Sequence, residues 1–121
     1  MTYTVEWQED ILILEFSDPV DITEIRDANE HWKSLSKDTL VKGQAWDFSQ
    51  TDVSKIIPSD IQDPHIFKDI KNMNLALISK DEHAQKAFNF YINIAKKQKA
   101  NWNISIHSDL QSGLVWLASI L

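Results

Sequence analysis

The run Ala45-Trp46-Asp47-Phe48-Ser49-Gln50-Thr51-Asp52-Val53-Ser54 sets a carboxylate near the end of an apolar stretch and three hydroxyls behind it. Such an order suits a ligand-site carboxylate, a phosphate-accepting hydroxyl, or a strand end closed by a local turn. Open α/β sheets bind ligands beyond the carboxyl ends of their strands, which makes Asp47 the best carboxylate candidate. An aspartate in that place also accepts backbone N–H bonds from the residues just after it, and this side-chain habit favours the turn. Ser49, Thr51 and Ser54 belong to no G-x-S-x-G elbow and have no obvious base beside them, so serine hydrolase chemistry is not expected.

Other reactive groups are sparse. The four histidines, His31, His65, His83 and His107, include no pair at the two-to-five-residue spacing of a local metal site. With no cysteine, there are no thiolate ligands, disulfides or Cys nucleophiles. The two glycines, Gly43 and Gly113, form no phosphate-cradling loop, so nucleotide binding of the GxGxxG or GxxxxGK[ST] type is excluded. No catalytic residue, metal or cofactor is expected, and the chain reads as a non-enzyme.

The bulk properties narrow the field further. At 121 residues the chain fits one domain, 1–121, that buries somewhat more than about 60% of its unfolded surface. A net charge of −6 repels phosphates over long range, which argues against nucleic-acid binding. Lys96, Lys97 and Lys99 follow an apolar helix pattern, where cations complement the carbonyl end of the helix dipole. The opening MTYTVEWQED has neither the basic nor the apolar region of a cleaved signal, and no apolar run reaches membrane-spanning length. The expected location is the cytoplasm.

The elements that must position these residues follow from periodicity. Tyr3, Val5 and Trp7 alternate with polar residues, and ILILEF at 11–16 is almost continuously apolar, so a hairpin with a central second strand is expected. Asp21 and Glu24 stand at capping-box spacing before a helix striped by Ile25, Ala28, Trp32 and Leu35, ending near Ser36. Leu40 to Phe48 is extended, with Gly43 weakening its start. Between Ser54 and Ile70, Pro58 and Pro64 suit a short helical turn and a second helical piece. Met73 to Ile78 is a buried strand, and Asp81 opens a helix with Ala84, Phe88, Tyr91, Ile92 and Ala95 on one face. Trp102, Ile104 and Ile106 alternate with polar residues in a strand suited to a sheet edge. Ser108 then caps a helix whose stripe is Leu110, Leu114, Leu117 and Leu121. The order β-β-α-β-α-β-α-β-α calls for a mostly parallel five-stranded sheet with right-handed crossovers.

This order and its landmarks, YTVEW, ILILEF, AWDFS, NLALIS and SDLQSGLVWL, resemble the small bacterial SpoIIAA-like proteins, related to STAS domains and more distantly to CRAL-TRIO lipid carriers. The resemblance spans nearly the whole chain as a pattern and not as a sharp motif. It implies a superhelical α/β sheet with helices mainly on one face, in a protein that binds partners or ligands and runs no reaction. STAS regulators follow a strand ending Asp-Leu-Ser with an Asp-Ser-Ser-Gly phosphoacceptor turn. Asp47-Phe48-Ser49 matches the strand ending, whereas the turn falls on Lys55-Ile56-Ile57-Pro58, or with a gap on Asp52-Val53-Ser54-Lys55. Both lack the glycine, so the phosphoacceptor motif is degraded.

Two strands, 11–16 and 75–78, read as dry on both faces, and something must cover the second face: another subunit, a piece of the 54–70 segment, or solvent over a few apolar residues. Phe90 and Ile94 form a second small apolar patch that is either part of a wide core stripe or an interface. The five tryptophans sit mostly on inward stripes and read as core. With sequential strand order, Asp47, then Asp81 and His83, then Ser108 and Asp109 line one end of the sheet, and Ser49 and Ser54 follow Asp47 in the chain. Asp47, Ser49, Ser54, Asp81, His83, Phe90 and Ile94 are therefore the candidate ligand or partner residues. The expected mode of action is binding of a protein partner or of itself as a homodimer. The alternative is a CRAL-TRIO-like carrier holding a small lipid or apolar ligand between the sheet and Phe88, Tyr91 and Ile92.

Overall fold

The computed structural model describes residues 3–17, 22–38, 41–51, 72–99 and 101–121. Strands β1 (Tyr3–Gln8) and β2 (Ile11–Ser17) form a hairpin, followed by helix α1 (Ile22–Asp38) and strand β3 (Gly43–Gln50). Strand β4 (Asn72–Ile78), helix α2 (Glu82–Lys97), strand β5 (Asn101–His107) and helix α3 (Leu110–Ile120) complete the described chain. The five strands make one sheet in the order β1-β2-β3-β4-β5, antiparallel at the first pair and parallel thereafter. The expected strand order and mixed sheet are therefore present. The helical pieces expected between Ser54 and Ile70, the Asp21 cap and Ser54 itself fall outside the described residues.

Each element has a local cause. Gln8 pairs with Ile11, leaving Glu9-Asp10 as the hairpin turn, with Glu9 in the left-handed region at φ 56°. The turn is tied to the start of β3 by Lys42, whose N–H donates to the Asp10 carbonyl at 3.0 Å and whose Nζ lies 3.3 Å from Asp10 Oδ2. Because β2 to β5 step in one direction across the sheet, right-handed crossovers place their helices on a common face. There α1 and α2 cover Leu12, Leu14 and Phe16 of β2, Trp46 and Phe48 of β3, and Met73, Leu75 and Leu77 of β4. Their expected stripes are buried: Ala28 and Trp32 from α1, Ala84 and Phe88 from α2.

The opposite face is covered by α3. This helix is no crossover, so the handedness rule does not bind it, and it turns back over the sheet from the end of β5. Its Leu117 is buried against Ile11, Ile13, Ala45, Ala76 and Ile78, with Leu110, Leu114 and Trp116 packed alongside. Among the described residues the cover for this second face is thus α3 of the same chain. Close approach requires small residues on both sides. A Cβ on Gly113 would stand 3.1 Å from Ile78 Cδ1 and 3.3 Å from Ala76 Cβ, and one on Gly43 would meet Leu117 Cδ2 at 3.0 Å. Gly43 therefore opens β3 for a packing reason. The α3 cap is Asp109 and not Ser108, since its Oδ1 accepts the Ser112 N–H at 2.7 Å.

Buried polar groups are matched to the indole N–H groups of the core. Trp46 Nε1 donates to Gln44 Oε1 at 2.6 Å, and Trp32 Nε1 donates to Asn29 Oδ1 at 3.0 Å. Gln44 is almost fully buried, at 1% exposure.

Replacement of Gly113 by valine forces two γ-methyls as well as the Cβ toward Ala76, whose position is fixed by β4. A loss of about 1–3 kcal/mol is expected from such overpacking, read as a lower urea midpoint at constant slope.

Candidate functional site

Parallel strands in sequential order bring the ends of β3, β4 and β5 to one rim of the sheet. Asp47 and Ser49 stand at the end of β3, Asp81 and His83 follow β4, and Ser108 and Asp109 follow β5. Asp47 Oδ1 accepts both the Ser49 N–H at 2.9 Å and the Ser49 hydroxyl at 2.5 Å. The Thr51 N–H donates to the Phe48 carbonyl at 3.1 Å. Asp47 thus closes a local turn, and Ser49 is its donor.

Asp81 is a helix cap. Its Oδ1 accepts the His83 N–H at 3.2 Å, its own N–H donates to Ser79 Oγ at 3.1 Å, and Gln85 Nε2 donates to the Ser79 carbonyl at 3.0 Å. His83 lies exposed in the first turn of α2. Phe90 and Ile94 do not join the rim. Ile94 is buried with Ala95 against Phe90, Tyr91, Trp102 and Ile104, between α2 and β5, so that patch is part of the chain's own packing.

The pleat sorts the rim into two faces. Glu15, Asp47, Ile78 and His107 are register partners across β2 to β5, and their parity places them on the face that α3 covers. Asp81 instead begins α2, on the other face. The Glu15 carboxyl is held above its usual range by burial first, then by the neighbouring charges of Glu6 and Asp47. At the far end of the row, His107 Nε2 is buried without a hydrogen-bond partner, and its ring centroid lies 5.6 Å from that of Trp116 on α3. Burial lowers the His107 pKa, against a smaller opposing pull from Asp109. Asp109 is itself held below the usual carboxylate range by hydrogen bonds from the Ser112 backbone and side chain.

The row therefore has like charges at one side and a neutral-favouring imidazole at the other, with the apolar Ile78 between. Among the described residues no group of three or more His, Asp or Glu is placed to hold a metal ion. No described helix is long and apolar enough to cross a membrane.

Glu15 and His107 were not among the candidates that sequence patterns single out. Glu15 is the one charge interrupting ILILEF, but its neighbour Asp47 becomes visible only through the β2–β3 register. His107 alternates with Asn103 and Ser105 as though on a wet face, and only the docking of α3 buries its nitrogen.

Compared with known proteins, the chain matches no family model, and no curated protein is significantly similar to it. The common ground with STAS and SpoIIAA-like proteins is the general topology, a five-stranded mixed sheet with crossover helices on one face.

Two pH responses follow. For His107 the folded pKa lies below the ordinary 6.5, so its contribution is present above that value and is lost as pH falls through the folded pKa. Urea unfolding at several pH values below 7.5 should show stability declining toward acid, and declining less in His107→Leu. For Glu15 the raised carboxyl gives the opposite sign: stability is lost as pH rises through its folded pKa, above the ordinary 4.5. Glu15→Gln should gain a few tenths of a kcal/mol at pH 7 after solvent screening, and nothing at a pH where the carboxylates are protonated.

Proposed function

We propose that the chain is a non-enzymatic interaction module of SpoIIAA-like, STAS-related type that acts by binding a protein and does not turn over a substrate. The observation that carries this reading is aromatic contact at the place where a carrier would hold its ligand. Between the sheet and α2, Phe48 lies 5.5 Å from Phe88 by ring centroids, and Phe16 stacks on Phe48 at 4.4 Å with planes 6° apart. Phe16 also meets Trp46 at 5.4 Å and Tyr3 at 5.6 Å. Aromatic side chains in mutual contact pack closely and favour a core over a ligand-holding cavity.

The rim supports the same reading. Asp47 is engaged by Ser49, Asp81 caps α2 and Asp109 caps α3, so each of these acids serves a local backbone purpose. An acid–base catalyst needs a carboxylate or imidazole aimed at a substrate position, and these acids are aimed at their own chain. The altered residues at the STAS phosphoacceptor turn point to regulation without phosphorylation there, in a cytoplasmic setting.

Native mass spectrometry of the gently purified chain, beside a denatured spectrum, tests the proposal. The expected result is chains of unmodified mass with nothing released on denaturation. A releasable mass of a few hundred daltons, on the order of one drug-sized ligand, overturns it in favour of a carrier. A covalent phosphate on the intact chain overturns the unphosphorylated reading.

A further inference from the structure

Charge is distributed very unevenly along this chain. It carries 12 Lys and Arg and 18 Asp and Glu, yet from Asn101 to Leu121 Asp109 is the only one of either sign. Those residues form β5 and α3, which adjoin at one side of the sheet. The two sheet edges differ accordingly. At the β1 edge, Glu6, Glu9 and Asp10 supply the charge with which natural proteins guard an open strand. The other edge, β5, has seven residues, no Lys, Asp, Glu, Pro or Gly, and an uninterrupted register with β4.

Its outward groups are identifiable. The His107 carbonyl accepts the Ser79 N–H at 3.0 Å, so the peptide groups of His107 face β4. Extended backbone alternates the direction of its N–H and C=O groups from residue to residue, which turns those of Trp102, Ile104 and Ile106 away from β4. Among the described strands β5 pairs with β4 alone. Its side chains are less covered than those of its neighbour: Ile104 and Ile106 are half-buried, whereas Leu75 and Leu77 of β4 are 4% exposed.

We infer that β5 is a self-pairing edge, on which a second copy of the chain adds its own β5 antiparallel about a two-fold axis at Ile104. This rests on the interaction-module reading and names its partner. Pairing all three outward residues within the strand selects the register: Ile104 opposes Ile104 of the second copy, and Trp102 opposes Ile106. On the α2 side every such pair is apolar. On the α3 side Asn103 opposes Ser105 and Asn101 opposes His107, so every pair there is polar and uncharged. A two-fold interface presents the same patch to itself, and a charged edge of one sign would repel its own image. Two bodies of charge −6 approach most favourably where that charge is absent, which is this side. The product is a continuous ten-stranded sheet.

Sedimentation equilibrium of the full chain provides the test. A dimer is expected that strengthens as salt is raised, because screening weakens the repulsion between two negative bodies. Asn103→Lys, at an exposed position, should weaken the dimer at least tenfold although it lowers the net negative charge. Trp7→Lys, at the opposite edge on a residue 40% exposed, should leave it intact. Amide exchange in the wild-type chain adds a readout free of substitutions: protection at Ile104 and Ile106 should rise with protein concentration. A chain that stays monomeric near millimolar concentration, exchange at those amides independent of concentration, or a dimer lost in Trp7→Lys and kept in Asn103→Lys overturns the inference. A monomer without releasable ligand still leaves a module for a different protein. A releasable ligand overturns the module reading and leaves the edge-pairing result to stand by itself.

Discussion

The constraint on which the structure depends is that β2, β3 and β4 are dry on both faces. Leu12, Leu14 and Phe16 face α1 and α2, while Ile11 and Ile13, one residue out of step, face α3. A crossover helix can shield only the side that its handedness selects. The second side therefore needs an element free of the crossover rule, and α3 follows the final strand. The small residues at Gly43, Ala45, Ala76 and Gly113 let that helix settle deeply. On the other face the core is built from larger aromatics, among them Phe16, Trp32, Trp46, Phe48 and Phe88. The two layers thus differ in kind: one is largely aromatic, the other largely aliphatic.

Polar groups inside the α1–α2 layer follow from its aromatic character. An indole brings an N–H into the core, and a buried donor without an acceptor costs roughly 1–3 kcal/mol. Gln44 and Asn29 meet the donors of Trp46 and Trp32. The α3 layer has no such pairing at its margin, where the imidazole of His107 is buried with Nε2 unmatched. Among the described residues, hydrogen bonding is therefore matched at these two indoles and incomplete where α3 meets β5.

Much of this was legible in the sequence. Period-two alternation located β1 and β5, the apolar run located β2, and the helical stripes of α1 and α2 emerged with the residues that are buried. The double dryness of β2 was also legible, because consecutive apolar residues have no wet face to occupy. Which element covers the second face was not, since the stripe of α3 looks like any amphipathic helix until its packing on Ala76 and Ile78 is seen. Asp47 was readable as a turn former, because an aspartate two residues before a hydroxyl makes its bonds locally. The Glu15 and Asp47 pairing was not readable, as lateral neighbours in a parallel sheet are set by register and separated by a crossover. Phe90 and Ile94 were ambiguous for a similar reason: periodicity gives the direction of a side chain, but not how far the neighbouring strand reaches.

The late place of α3 in the chain has a consequence for synthesis. A chain made from its amino end assembles the β1–β2 hairpin from local contacts, and each later parallel pairing waits for a crossover to close. Throughout that time Ile11, Ile13, Ala45, Ala76 and Ile78 lack the helix that covers them, because Leu110–Ile120 has yet to be made. The nascent sheet is thus a one-sided object with an adhesive back. That exposure ends only when α3 folds down over the face, and exposed apolar surface of this kind is what makes an incomplete domain prone to aggregate.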